Sequence, residues 1–240
     1  MGLHCRRSKQ VLVSGSYLRS LEKTVPKSKA FAFFHNLSLY RTRTVPRHSK
    51  KDASQTAREA NSDEKCQLQH HPTGSYYTGM AAEIRDRSRI GDWEGDTVYG
   101  GIGKGLLVTL VDRKSRYLKM GLLQSRNADE TRKVIQKLLN GFPAKSISLD
   151  NGAEFSEFRE LESALTAPIY FAEPHKPWQR GTNENTNDIV RFFFPKGFDF
   201  RTISQELVDI VSDLINNRPK KCLDWKTPAE VFFDKTVALT

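Results

Sequence analysis

Only three of the 240 residues are cysteine: Cys5, Cys66 and Cys222. An odd count with no repeated spacing excludes a disulfide framework and fits a reducing compartment. Cys66 stands close to His70 and His71, but no second ligand pair follows at finger-like spacing, which argues against zinc. Long apolar runs are missing too. No stretch approaches the roughly 18 continuous apolar residues of a membrane span, and the N-terminus lacks the apolar segment of a secretory signal. Arg6 occupies the position where a myristoylation signal beginning at Gly2 requires Ser or Thr. The expectation is a soluble, cytoplasmic protein with no membrane partner.

Acidic charge is scarce in one part of the chain only. Residues 1–80 carry 14 Lys and Arg against 5 Asp and Glu, a net of +9, whereas residues 81–240 carry 24 against 23, a net of +1. A basic segment of this kind attracts phosphate backbones by releasing counterions, without reading sequence. A solvated, poorly folded tail has the same composition. The expected organisation is therefore a basic, largely disordered or irregular segment over residues 1–80 and a folded unit over 81–240. Within the first segment, residues 48–76 have linker composition, and Ala30 to Phe34 is its one apolar cluster.

After residue 80 the patterning sharpens. Trp93 to Tyr99, Leu106 to Val111 and Tyr117 to Leu123 are expected strands, the last two joined by the polar turn Asp112 to Arg116. A helix is expected next, with Asn127 as its N-cap, Asp129 and Glu130 in its first turn and Gly141 at its end. Ser146 to Leu149 should form a short strand, Phe155 to Leu165 a helix, and Pro168 to Phe171 a fifth strand. The last third is helical: Leu207, Ile210, Val211 and Leu214 recur at helical spacing, and Thr227-Pro228-Ala229-Glu230 is a helix start. The order β-β-β-α-β-α-β-α matches an α/β, ribonuclease H-like mixed five-stranded sheet flanked by helices. Such a sheet gathers strand-end residues along one edge.

Three acidic residues sit where that gathering matters. Asp96 lies in W-E-G-D-T-V, Asp150 in L-D-N-G-A-E-F and Glu184 in P-W-Q-R-G-T-N-E-N-T-N, with 53 and 33 residues between them. Gathered carboxylates hold Mg²⁺, a hard cation that takes oxygen ligands. Two such ions about 3.5–4 Å apart clamp the attacking and leaving oxygens of an in-line phosphoryl displacement. Each position has a plainer reading as well. Strand alternation puts Glu94 on the same face as Asp96, and both residues suit a solvated edge. Asp150 enters the turn pair Asn151-Gly152 and is compatible with turn initiation alone; Glu154 is its rival, ranked second because a helix beginning there would hold it away from the strand tip. Were residues 183–194 helical, Glu184 would share a polar face with Arg180, Asn187, Asp188 and Arg191, a stripe that also suits plain solvation.

The surrounding motifs carry a resemblance. W-E-G-D-T-V, T-L-V-D-R-K-S-R-Y, L-D-N-G-A-E-F, Y-F-A-E-P-H-K-P-W-Q-R-G-T-N-E-N-T-N, F-P-K-G-F-D-F and N-R-P-K-K-C-L-D-W-K-T-P-A-E-V-F resemble the integrase core of DDE transposases of the IS-thirty insertion-sequence family. The resemblance runs from about Ala82 to the C-terminus. It implies that Asp96, Asp150 and Glu184 form the catalytic, metal-binding triad, with Mg²⁺ as cofactor and Mn²⁺ as a substitute. It further implies strand cleavage and strand transfer during DNA integration and recombination. The partners would be transposon ends and target DNA, with the protein a homo-oligomer in the active complex and associated with the nucleoid when bound. Lys176, Trp178 and Arg180 are the candidate DNA-binding residues: the two cations suit phosphate contacts or plain surface charge equally, and the indole suits stacking on a base or, more often, packing on the core. Residues 1–80 do not resemble the family's helix-turn-helix modules. The alternative expectation is therefore a truncated or frame-disrupted copy that binds DNA or pairs with full-length transposase without catalysis.

Overall fold

The computed structural model describes residues 75–76, 79–173 and 181–234. Its strands are β1 (Ser75–Tyr76), β2 (Asp92–Tyr99), β3 (Leu106–Asp112), β4 (Leu118–Leu123), β5 (Ser146–Leu149) and β6 (Ile169–Phe171). The helices are α1 (Ala82–Arg85), α2 (Ala128–Leu139), α3 (Phe158–Leu165), α4 (Gly181–Phe193), α5 (Gln205–Asn216) and α6 (Pro228–Phe232). The sheet runs β1-β6-β5-β2-β3-β4. β2, β3 and β4 form an antiparallel meander, while β5 pairs parallel with β2 and β6 parallel with β5. This is the expected mixed five-stranded sheet, with the two-residue β1 added in parallel to β6. β1 comes from within residues 1–80. The other expectations for that segment, and all of 174–180 with Lys176, Trp178 and Arg180, lie outside the described residues.

The sheet is covered on both faces. On one side Val98, Leu107, Val111 and Met120 pack against Val190, Phe193 and Phe194 of α4 and Leu207, Val211 and Ile215 of α5. On the other, Trp93, Leu106, Val108, Leu110 and Ile147 pack against Ile135 and Leu139 of α2 and Phe158 and Leu161 of α3. β3 lies between both layers and is buried throughout, which is why L-L-V-T-L-V is nearly continuous in apolar residues rather than alternating. α2 approaches β4 closely enough that a Cβ on Gly121 would lie 2.4 Å from Val134 Cγ1. Only glycine fits there.

Local signals explain the element ends. Asn127 caps α2, its side chain accepting from the Glu130 amide at 3.0 Å. Thr227 and Glu230 form a reciprocal capping box at α6, with bonds of 3.1 and 2.7 Å. The β3–β4 turn is held by buried Asp112, which accepts from the amides of Gly91 and Ser115 and the Ser115 hydroxyl. β4 is an edge strand, and α5 occupies its outward backbone groups with amide side chains: Gln205 bonds Leu122 and Met120, and Asn216 bonds Leu118 twice. Pairing groups that would otherwise recruit another strand are thus satisfied. Among the described residues, no helix is long and apolar enough to cross a membrane.

Candidate active site

β5 is four buried residues long and stops at Asp150 because the chain turns at Asn151-Gly152. The turn is tied from both sides. Asp150 Oδ1 accepts from the Gly152 amide at 3.1 Å, and the Asn151 side chain donates to the Ala172 carbonyl, just past β6, at 3.0 Å. Asp150 therefore leaves the strand tip in a fixed direction, half-buried.

β2 brings the second carboxylate alongside. Its parallel register with β5 pairs Glu94 with Ser148. Two residues further along each strand stand Asp96 and Asp150, so the two aspartates are neighbours across strands roughly 4.8 Å apart. Asp96 is anchored at both oxygens: Oδ1 accepts from the Thr97 amide at 2.8 Å, and Oδ2 from the Asn187 side chain at 2.9 Å. Thr109, opposite Asp96 on β3, donates to Asn187 Oδ1 at 3.2 Å. With its oxygen occupied by Thr109, the Asn187 amide can turn only its NH₂ toward Asp96.

Asn187 belongs to α4, which lies along β2. The Arg116 guanidinium donates to the Thr182 hydroxyl near the helix start, Asn187 meets Asp96 midway, and Arg191 donates to the Tyr99 carbonyl near the end. Thr182, Asn183, Thr186 and Val190 face inward, while Glu184 and Asp188 are exposed. Glu184 lies three residues before Asn187, on the adjoining rim of the helix. Among the described residues, no three His, Cys, Asp or Glu side chains are grouped closely enough to hold a metal ion. The structure brings Asp96 and Asp150 side by side and leaves Glu184 on the neighbouring helix rim, facing solvent.

Both rival carboxylates have other work. Glu94, expected at a solvated edge, is buried and paired with buried Arg113 at 2.6 Å. Burial pushes its carboxyl above the ordinary range, opposed by the nearby guanidinium of Arg113. Glu154 belongs to a 3-10 turn that brings it back to the strand tip rather than away from it. A Cβ on Gly152 would lie 2.7 Å from Glu154 Oε2 and 3.0 Å from Asp150 Oδ1. Glu154 is engaged from the other sheet face, accepting from Thr97 Oγ1 at 2.9 Å and from Arg126 at 3.2 Å. Asn187, Thr109 and Arg126 hold this edge although no sequence motif marks them for it. A signal for Asn187 existed in its spacing from Glu184.

The sheet order and its covering helices match a known fold. A chain of the simian T-cell lymphotropic virus intasome, in a cryo-EM structure with the PP2A regulatory subunit B56 gamma, superposes with a TM-score of 0.51. It is 19% identical and covers 62% of this chain and 56% of its own, which establishes the integrase, ribonuclease H-like fold. The transposase InsI for insertion sequence element IS30A of Escherichia coli is 38% identical over 160 residues, covering 65% of this chain and 41% of the relative. The transposase for element IS1086 of Cupriavidus metallidurans is 36% identical over 152 residues, 62% of this chain and 45% of the relative. The matched part of this chain is homologous to the IS30-family insertion-sequence transposases. A probable transposase of insertion-like element IS1161 from Streptococcus salivarius is 37% identical over 152 residues, 62% of this chain and 44% of the relative. This chain spans less than half the length of these curated relatives. No family model matches it.

Proposed function

We propose that this IS30-related chain carries a metal-dependent centre for DNA strand cleavage and strand transfer, with Asp96, Asp150 and Glu184 as its metal ligands. The observation that carries the reading is the juxtaposition of Asp96 and Asp150 at adjacent parallel strands, under the helix that bears Glu184. The donor chemistry fits a hard divalent cation: the three proposed ligands offer only carboxylate oxygens. Mg²⁺, or Mn²⁺ in its place, would supply charge neutralisation at the attacking and leaving oxygens of a phosphodiester.

The chain's own residues set the geometry. Asn187 and the Thr97 amide hold Asp96, the Asn151-Gly152 turn aims Asp150, and Glu184 stands on the exposed rim of α4 three residues before Asn187. Water attack on the phosphodiester at the element end breaks the P–O3′ bond, leaving a 3′-hydroxyl and a 5′-phosphate. Attack of that hydroxyl on a target phosphodiester forms the new P–O bond and releases a target 3′-hydroxyl. The partners are element-end and target DNA, engaged by an oligomer of this chain. Lys176, Trp178 and Arg180 are its candidate contacts. The polycation of residues 1–80 is a separate, sequence-indifferent anchor.

The test is strand cleavage and transfer on DNA carrying element ends, with Mg²⁺ or Mn²⁺, comparing the native chain with Asp150→Asn. A neutral amide of nearly equal size is a poor Mg²⁺ ligand, so activity should vanish while circular dichroism and melting stay native. Near-normal activity in the variant would reject the assignment.

A further inference from the structure

The loop between α5 and α6 holds an indole out in solvent. Trp225 is 70% exposed, unlike buried Trp93. Its backbone is not slack. Lys220 N bonds the Lys226 carbonyl, Trp225 N bonds the Lys220 carbonyl and Lys226 N bonds the Leu223 carbonyl, at 2.9–3.0 Å. Asp224 and Trp225 both take left-handed backbone, with φ of 51° and 66°. Two successive non-glycine residues in that region cost energy, so the surrounding bonds must impose the conformation. α6 fixes the far side of the loop, because Phe232 stacks on Tyr117 at 4.6 Å and lies 5.6 Å from Trp93. An apolar side chain is thus displayed at the expense of backbone strain.

Cations flank it in sequence. Arg218, Lys220, Lys221 and Lys226 lie within the same eleven-residue stretch, 217–227, where Asp224 is the one acid. Arg116, from the β3–β4 turn, and Arg218 both act electrostatically on the Lys220 ammonium. Burial, reinforced by these two cations and opposed by Cys222, lowers the Lys220 ammonium to about 8. Like charges held this close are stabilised by a bound polyanion. Arg116 also reaches the Thr182 hydroxyl at 2.8 Å, two residues before Glu184. Arg116 therefore adjoins the end of α4 that carries the third proposed ligand.

We propose that this loop is a docking site for unpaired DNA, with the Trp225 indole stacked on a base and the exposed Lys221 and Lys226 on the flanking phosphates. A paired base inside a duplex offers no open face to a side chain displayed from a loop and an end pair offers only one, whereas every unpaired base offers both. The cations alone would hold either form of DNA, so the indole is what makes the site select single strands. The proposal rests on the DNA-acting reading above, but needs neither a metal nor strand chemistry.

The experiment therefore runs in EDTA on the full chain. Fluorescence anisotropy measures binding of a labelled oligothymidylate about a dozen nucleotides long and of a blunt duplex of the same length, across a salt series. The basic N-terminal segment contributes to both, so the readout is the ratio of the two affinities. Trp225→Ala should lower affinity for the oligothymidylate roughly 5- to 150-fold, the span of one base stack, with little change for the duplex. Trp225→Phe should restore most of it. Alanine inherits the backbone strain that tryptophan already bears, so a native melting curve is expected. Lys221→Gln with Lys226→Gln should flatten the single-strand salt slope by about 1.4, at about 0.7 per phosphate contact. An unchanged affinity ratio in Trp225→Ala would overturn the proposal. So would loss of a self-association by that variant, seen in sedimentation, with DNA binding intact, since the loop would then serve a second copy of the chain. Either outcome leaves the Asp150→Asn test untouched, and failure of that test leaves this one standing.

Discussion

Asn187 on α4 donates its side-chain amide to Asp96 on β2 at 2.9 Å, across 91 positions of sequence. One bond thereby aligns the helix carrying Glu184 with the strand carrying the first proposed ligand. Asn187→Ala should release Asp96 without opening the core, since Asn187 is only half-buried. Metal-dependent cleavage is expected to fall about 10- to 100-fold, the usual effect of losing a residue that orients a ligand, and metal affinity measured by calorimetry should weaken in parallel. Unchanged metal affinity and activity would remove Asn187 from the site.

The Glu94–Arg113 pair lies beneath the same helix, each side chain 1–2% exposed. Arg113→Met leaves the carboxylate buried without its counter-charge. Breaking such a pair from one side typically costs about 3–5 kcal/mol, which chemical denaturation would measure. A loss below about 1 kcal/mol, the scale of a surface pair, would show that water reaches Glu94.

Glu94 and Asp112 both have their carboxyls pushed up by burial. Between the ordinary carboxylate range and those raised values, the folded state holds more protons than the unfolded state. Stability contributed by these groups is therefore greatest at the acid end of that window and declines as pH rises through it. Glu94→Gln should flatten this part of the melting-temperature profile, although it leaves Arg113 without its partner charge and lowers stability overall. A variant profile parallel to the native one across the window would show that Glu94 does not titrate there.

Thr227→Ala removes half of the α6 capping box and should cost about 1 kcal/mol. Because Phe232 packs against Tyr117 and Trp93, fraying of α6 should also raise hydrogen-exchange rates in the loop bearing Trp225. Native exchange there would mean that packing alone holds the helix.

Deleting residues 1–74 removes all of the +9 charge of the first third while keeping β1. Non-specific DNA affinity should fall, with a shallower salt slope. The melting temperature of the remainder is expected to stay nearly constant. A large drop would make the basic segment part of the fold, and loss of a sequence-selective, salt-insensitive affinity would reveal a DNA-reading module in it.

Much of this protein was determined by short-range pattern. Alternating and continuous apolar runs located β2 to β6 within a residue or so, because the burial of each strand depends on its own side chains. Asn127 and Thr227-Pro228-Ala229-Glu230 announced their helices, because capping satisfies backbone groups only three residues away. The motifs around Asp96, Asp150 and Glu184 identified the transposase relatives for the same reason: they are contiguous. What the sequence could not settle is which carboxylate faces where. Glu94 and Asp96 share a strand face, and only the packing of α4 against β2 places one beside Arg113 in the core and the other beside Asn187 at the edge. Glu154 was expected to point away from the tip, yet the 3-10 turn and the reach of Arg126 draw it back, on the face opposite Asp96. The three-way contact of Asp96, Thr109 and Asn187 joins residues 13 and 91 positions from Asp96. Such contacts depend on the register between a helix and a sheet, which is set by the whole buried interface and by no local stretch of chain.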